Sequence, residues 1–141
     1  MTRLVFLIGA LFSGTCGSIE IIDDDGHLIK LENPAERIIS LAPSLTELMF
    51  AIGAGDKLKG VIEYSDFPLE AKSLPVIGRF DLLDVEKILE LRPDLVIAWK
   101  GGSPKSSVEQ LKKLGFTVYI AELNDLTSIS IQMDKLSKLA G

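Results

Sequence analysis

Three aromatic side chains stand where the sequence predicts that successive strands end. Tyr64 and Phe80 each follow a short apolar run, and Trp99, the only tryptophan, closes another and is followed by Gly101 and Gly102. Ligands of α/β proteins bind beyond the carboxyl ends of the strands, and aromatic side chains bury a large area at little entropic cost. The pattern predicts a surface for a flat ligand, although Trp99 taken alone fits a packed core position equally well.

Residues for catalysis are scarce in this chain. The single histidine, His27, falls in a predicted hairpin, and the single cysteine, Cys16, lies near the N-terminus. A transition-metal site needs several such ligands, and a histidine general base needs a pocket around it. Two of the three acids Glu63, Asp66 and Asp81 could alternatively form an acid/base pair, but no spacing among them supports this role. The sequence therefore predicts that the protein is not an enzyme.

Motifs for metals and nucleotides are also missing. The aspartates at 23–25 resemble a calcium-binding loop only in part, because the remaining ligand positions are absent, and we expect a solvated turn. Neither G-x-G-x-x-G nor G-x-x-x-x-G-K-[ST] occurs, so nucleotide binding has no motif. We expect neither a bound metal nor a resident cofactor.

Length and charge limit the remaining possibilities. The chain has 141 residues, of which 47% are hydrophobic, enough for one domain with one core. Its formal net charge is −5, which gives no basic surface for a nucleic acid. We expect an ordinary acidic, soluble surface.

The N-terminus resembles a secretory signal peptide. Thr2-Arg3 is followed by an apolar stretch at 4–12 that is too short to span a bilayer, and small residues then lead to Ser18. We expect cleavage near Gly17 or Ser18, export to the periplasm and a mature chain without a membrane span. A lipid anchor on Cys16 is the alternative, but Thr15 fits it poorly.

The rest of the chain alternates strands and helices. A hairpin about 24–26 precedes core strands at 37–41, 58–62, 75–78, 95–99 and 116–121, and four amphipathic helices lie among and after these strands. Ser44 and Glu47 form a capping-box pattern, Asp84 is expected to cap the second helix, and Ser103 to cap the third. This order predicts an α/β fold, a mainly parallel central sheet flanked by helices in a Rossmann-like lobe, preceded by an N-terminal β-hairpin.

Three segments resemble one known family. They are Arg37-Ile-Ile-Ser-Leu-Ala-Pro-Ser-Leu-Thr-Glu47, Gly60-Val-Ile-Glu-Tyr-Ser-Asp-Phe-Pro68 and Arg92-Pro-Asp-Leu-Val-Ile-Ala-Trp-Lys-Gly-Gly102. The family is that of the helical-backbone substrate-binding proteins of ABC importers, which serve siderophores, haem and vitamin B12. The second and third segments are closest to the members that carry vitamin B12, and the resemblance extends over about 36–140.

The resemblance implies roles for particular residues. Tyr64, Phe80 and Trp99 would lie against a corrin ring, although the vitamin B12 members have tryptophan where this chain has Phe80. The turn at Ser44 and the backbone of Gly101 and Gly102 would add ligand contacts. Glu86 corresponds to an acid that pairs with arginines of the membrane permease; its position in the first turn of a helix would by itself need only a structural reason.

The resemblance also implies two lobes joined by a long helix, and the sequence ends where that helix should begin. We expect residues 19–141 to form the N-terminal lobe alone, as a fragment without the second lobe. The expected function is that of an extracytoplasmic component that captures a corrinoid and presents it to an ABC importer. A ferric-siderophore or haem carrier is the alternative within the family, with Lys100 available to an anionic chelate. A permease-docking domain that carries no ligand is the alternative from another class.

Overall fold

The computed structural model describes residues 17–141. Cys16 and all but the last two residues of the predicted signal peptide lie outside that range. The strands are β1 (Ile19–Ile22), β2 (Leu28–Leu31), β3 (Ile38–Ser40), β4 (Leu58–Val61), β5 (Gly78–Arg79), β6 (Leu82–Leu83), β7 (Leu95–Trp99) and β8 (Val118–Ala121). The helices are α1 (Pro43–Ala51), α2 (Val85–Leu91), α3 (Lys105–Lys113) and α4 (Leu126–Ala140), with short 3₁₀ segments at Gly55–Lys57 and Leu69–Ser73.

A four-stranded parallel sheet in the order β4-β3-β7-β8 forms the centre of the molecule. β1 pairs with β2, and β5 with β6, in two separate antiparallel hairpins. The predicted fold class, a parallel sheet flanked by helices after an N-terminal hairpin, is therefore confirmed.

Apolar residues fill both faces of the sheet. Along β7, Leu95 and Ile97 point to one side and Val96 and Ala98 to the other, so that both faces are buried. The first side is covered mainly by α1, α4 and the N-terminal hairpin, and the second by α2 and α3. This three-layer arrangement leaves the carboxyl ends of the strands as one continuous rim.

The helix starts differ from prediction in two places. α1 begins at Pro43, and Ala42 before it makes no side-chain cap, so the predicted capping box at Ser44 is wrong. The reason is that proline, with its fixed φ and missing N–H, already suits the first helical position. Asp84 does cap α2, accepting a hydrogen bond from the Lys87 amide. Ser103 does not cap α3, which begins at Lys105 after Pro104.

The predicted strand at 75–78 is only partly formed. It makes a single parallel bridge between Val76 and Val61 of β4. The Val61 amide donates to the Pro75 carbonyl (3.0 Å), and the Ile77 amide donates to the Val61 carbonyl (2.8 Å). The segment therefore lies along β4 without becoming a full fifth strand.

The aspartates at 23–25 are not a solvated turn, contrary to prediction. Asp23 is buried, and its carboxylate accepts hydrogen bonds from the amides of His27 (2.8 Å) and Ile120 (3.3 Å). The Asp24 amide donates to the Ile120 carbonyl (3.0 Å). The turn therefore fixes the N-terminal hairpin to β8.

Candidate functional site

Tyr64, Phe80 and Trp99 lie together along the carboxyl-end rim of the sheet. Pro43 and Ile62 stand between them: a pocket of about 450 Å³ is lined by Tyr64, Phe80 and these two residues. An adjoining pocket of about 360 Å³ is lined by Phe80, Trp99 and the same two residues. Phe80 is thus the middle member of a continuous aromatic surface.

A third pocket extends this surface towards α1 and α4. It has a volume of about 650 Å³ and is lined by Ser44, Phe67 and Trp99, with apolar residues of both helices between them. Phe67 is 65% exposed, and sequence reasoning did not assign it to the site. Its place three residues after Tyr64 in the same loop is the signal that could have found it. We refer to Pro43, Tyr64, Phe67, Phe80 and Trp99 as the aromatic rim.

Tyr64 is held in an unfavourable backbone conformation. Its φ is +67°, in the left-handed region that side chains other than glycine rarely adopt, and the side chain is 83% exposed. The next residue, Ser65, is buried, and its hydroxyl lies within hydrogen-bond distance of the Thr46 hydroxyl of α1 (3.3 Å). Such strain, held in place by buried neighbours, concentrates at functional sites.

Phe80 stands at the tip of the β5–β6 hairpin and is 64% exposed. The chain enters the hairpin at Gly78, whose φ of +125° favours glycine. A β-carbon there would also overlap the Leu82 carbonyl oxygen. Arg79 and Asp81, on either side of Phe80, pair through two hydrogen bonds of 3.1 and 3.2 Å. The hairpin therefore presents the phenyl ring on a short, braced turn.

The turn after Trp99 packs against the indole ring. A β-carbon at Gly101 would lie 2.9 Å from Cε2 and Cζ2, and one at Gly102 would overlap Cε3 and Cζ3. Trp99 donates its amide to the Ser103 hydroxyl (3.1 Å), and its carbonyl accepts from the Ser103 amide (2.8 Å). The Ser103 hydroxyl in turn lies 3.4 Å from the Leu41 carbonyl at the end of β3. Gly101 and Gly102, predicted to contact a ligand through their backbone, thus lie directly beside the ring.

The charged residues around the rim are mostly acidic. Glu47, Glu63 and Asp81 line its pockets, and Arg79 is engaged by Asp81. Lys100 points to the N-terminal hairpin instead, where its Nζ lies 2.7 Å from the Asp24 carbonyl oxygen. The three pockets therefore have a mainly negative border, whereas a further pocket on another side of Trp99 is lined by Lys100, Lys105 and Lys112.

Other predicted residues lie apart from this surface. Glu86 is exposed in the first turn of α2 and lines none of the three pockets of the rim. His27, with its Nδ1 3.6 Å from Asp23, belongs to the hairpin. Of the three acids weighed for catalysis, Glu63 and Asp81 share a pocket, whereas Asp66 lines another. Within residues 17–141, no three His, Cys, Asp or Glu side chains are grouped so that they could hold a metal ion.

A family model described as periplasmic binding protein matches residues 38–141. The chain belongs to this family. The family implies a periplasmic location, and the part of this periplasmic binding protein that the structure describes has no helix of the length and apolarity that crossing a membrane requires. The lipid anchor on Cys16 stays a prediction, since that residue is outside the described range.

Two proteins with similar sequences are vitamin B12-binding proteins. The chain is 47% identical over 104 residues to the vitamin B12-binding protein of Vibrio cholerae serotype O1, covering 74% of this chain and 38% of that protein. It is 44% identical over the same length to the vitamin B12-binding protein of Yersinia pestis, covering 37% of it. The chain therefore spans well under half the length of these relatives.

Solved structures of periplasmic binding proteins also superpose on this chain. The periplasmic vitamin B12-binding protein of Vibrio cholerae superposes with a TM-score of 0.73 and 45% identity, over 77% of this chain and 42% of that one. A periplasmic heme-binding protein of Pseudomonas aeruginosa superposes with a TM-score of 0.63 and 28% identity, over 74% and 40%. The matched part of this chain thus shares its fold with proteins named for binding vitamin B12 and heme.

Proposed function

We propose that this chain binds a corrinoid at the aromatic rim and serves as the substrate-binding component of an ABC importer. The observation that carries the proposal is that Tyr64, Phe80 and Trp99 meet around Pro43 on one exposed rim. Flat macrocycles bind by contact with such rings, because aromatic side chains supply area with few rotatable bonds. The identity with vitamin B12-binding proteins supports a corrinoid as the macrocycle.

Charge favours a corrinoid over other cargo of the family. Ferric complexes of catecholate siderophores and the propionates of haem are anionic, and the rim presents Glu47, Glu63 and Asp81 at its border. Two cations near the rim are already paired, Arg79 with Asp81 and Lys100 with the N-terminal hairpin. The iron of haem, in addition, needs an axial ligand from the protein. Among the five residues of the aromatic rim, Tyr64 is the one with an oxygen that could ligate the iron, so it is the residue to vary in a test for haem.

Calorimetric titration with cyanocobalamin tests the proposal. We expect replacement of Tyr64, Phe80 or Trp99 by leucine to weaken binding at least tenfold, a loss of at least about 1.4 kcal/mol in each case. Phe116→Leu is the matched control, because Phe116 precedes β8 at the opposite end of the sheet. Equal affinity in the rim variants and the control, or no binding at millimolar cyanocobalamin, would contradict the proposal for this chain.

Haemin and a ferric chelate serve as competing ligands in the same titration. A corrinoid site should bind cyanocobalamin more tightly than either. If haemin binds more tightly and Tyr64→Phe abolishes its visible band, the chain is a haem carrier instead. Tight binding of the ferric chelate that depends on Lys100 would favour the siderophore alternative.

We further propose that Glu86 contacts the importer's permease. Its carboxylate is exposed in α2 and outside the ligand pockets, so docking and ligand binding can be separated. Glu86→Ala should weaken association with the permease in nanodiscs and leave cyanocobalamin affinity unchanged. Glu90→Ala, one turn later on the same helix and also exposed, is the control. Loss of ligand binding in Glu86→Ala would overturn this division of roles.

A further inference from the structure

We propose that Gly101, Gly102 and Ser103 are positioning residues that hold the indole of Trp99 in its ligand-ready orientation. The inference rests on the proposed function for the identity of the ligand, but the orientation itself can be measured without one. In this proposal Gly101 and Gly102 affect ligand binding indirectly, through Trp99, and not through the backbone contacts that the family resemblance implies for them.

The two glycines admit the ring because they lack side chains. Gly101 lies beside the Nε1, Cε2 and Cζ2 side of the indole, and Gly102 beside the Cε3 and Cζ3 side, so together they span its width. Neither glycine has a positive φ, and alanine fits the backbone at both positions. A methyl group there therefore acts on the ring and not on the turn.

Ser103 fixes the backbone that carries the ring. The Ser103 hydroxyl accepts a hydrogen bond from the Trp99 amide and lies close to the Leu41 carbonyl oxygen. The Ser103 amide donates a hydrogen bond to the Trp99 carbonyl. The Gly102 amide donates to the same carbonyl (3.2 Å). The Lys100 amide donates to the Ala121 carbonyl of β8 (2.9 Å). The turn is thus tied to the strands on both sides of β7.

These ties reduce the conformations open to Trp99 before a ligand arrives. A ring that is already immobilised loses less freedom on binding, which raises affinity without adding any contact to the ligand. The indole Nε1, enclosed beside Gly101 without a hydrogen-bond partner, is consistent with a ring placed by packing and not by its polar atom.

The fluorescence and near-ultraviolet circular dichroism of the single tryptophan report its position in the unliganded protein. Gly102→Ala should displace the ring most, with a severalfold rise in acrylamide quenching and loss of the indole dichroism. Gly101→Ala should act in the same direction but less, because its closest ring atoms are 2.9 Å away. Ser106→Ala, at an exposed position of α3 shortly after the turn, is the control and should change neither signal. Unchanged signals in Gly102→Ala would overturn the proposal.

A double-mutant cycle with cyanocobalamin separates positioning from general damage. Gly102→Ala should weaken binding about tenfold in the wild type but less than twofold in the Trp99→Phe background, because its effect passes through the indole. Equal losses in both backgrounds would show a direct or merely structural role and overturn the proposal. Ser103→Ala should weaken binding, and Ser103→Thr, which keeps the hydroxyl, should restore it.

The two proposals fail in different ways. If the unliganded signals respond as expected but no protein binds cyanocobalamin, the proposed corrinoid function is wrong and the positioning of Trp99 stands. If the wild type binds cyanocobalamin and Gly102→Ala binds it equally well, the positioning proposal is wrong and the function stands.

Discussion

Replacement of Asp24 by alanine should be among the most damaging single changes in the N-terminal hairpin. The Asp24 carboxylate accepts hydrogen bonds from the Glu122 amide (2.6 Å), the Gln132 side-chain amide (2.7 Å) and the Lys135 ammonium (2.9 Å). These donors belong to the end of β8 and to α4, about a hundred residues away in the sequence. Truncation removes all three contacts at once and leaves the buried Gln132 with an unpaired donor.

The expected loss follows from burial. A hydrogen bond to a charged group contributes about 1.5 to 3 kcal/mol, and breaking a fully buried ion pair costs roughly 3 to 5 kcal/mol. The side chains of Asp24 and Lys135 are 18% and 24% exposed, so the contacts are partly screened and do not add fully. We expect a loss of about 3 kcal/mol in the free energy of unfolding, or roughly 10 °C in the melting temperature.

Urea denaturation followed by circular dichroism measures this loss, and the neighbouring aspartate is a matched control. Asp25 forms an exposed ion pair with Lys100 at 3.4 Å, so Asp25→Ala should cost no more than about 1 kcal/mol. Asp24→Asn, which keeps one acceptor oxygen, should fall between the two. Hydrogen exchange should accelerate in β1 and β2 of Asp24→Ala.

The reasoning would be refuted if Asp24→Ala and Asp25→Ala were equally stable within about 0.5 kcal/mol, the accuracy expected for such a comparison. Unchanged exchange in β1 and β2 despite a large loss of stability would also contradict it, since the anchoring of the hairpin would then not be what the carboxylate provides.

Three further predictions concern single residues. Burial, with smaller effects from nearby carboxylates, raises the pKa of Tyr119 well above its usual value, so the stabilising contribution of Tyr119 should be complete below about pH 10 and be lost at higher pH. In Tyr64→Phe protein, where Tyr119 is the remaining tyrosine, tyrosinate absorbance should appear only together with unfolding. Ionisation of the folded protein near pH 10 would contradict this prediction. The Ser128 amide lowers the pKa of Asp125, so Asp125→Ala should reduce the melting temperature at neutral pH, with the difference from wild type shrinking as the pH falls below the ordinary aspartate range. A β-carbon at Gly60 would lie 2.7 Å from the buried Ile77 side chain, so Gly60→Ala should lower the free energy of unfolding, measured by urea denaturation, by about 1 to 3 kcal/mol. An unchanged free energy of unfolding would contradict this and show that the neighbouring side chains rearrange at little cost.

The sheet could be predicted from local sequence because its strands are continuous apolar runs. Leu95–Ala98 is buried on both faces, which the run itself indicates. The places of Tyr64 and Trp99 on the rim could be predicted for the same reason, since strand direction decides which end they occupy. Phe80 reaches the rim on the β5–β6 hairpin, which the apolar run at 75–78 did not indicate. Local sequence is sufficient for features that depend on the spacing of apolar residues or on the direction of a strand.

Contacts between distant segments could not be predicted in this way. The aspartates at 23–25 have the composition of an exposed turn, and nothing near them indicates that Asp23 accepts the amide of Ile120, 97 residues later. Ser103 precedes a proline and a helix, the usual setting of a cap, but its hydroxyl is taken by the Trp99 amide. In both cases a polar side chain had two sets of donors available, and only the fold decides between them.

The two outer strands of the sheet carry a further consequence. An outer strand normally exposes a row of unpaired amides and carbonyls, which another chain can use as a template for edge-to-edge association. Here the segment at 75–78 pairs with the outward amide and carbonyl of Val61 in β4, and the turn at 23–25 pairs with those of Ile120 in β8. Both residues lie near the carboxyl ends of their strands, so the part of each outer strand next to the exposed apolar rim offers no free backbone pair to a neighbouring chain.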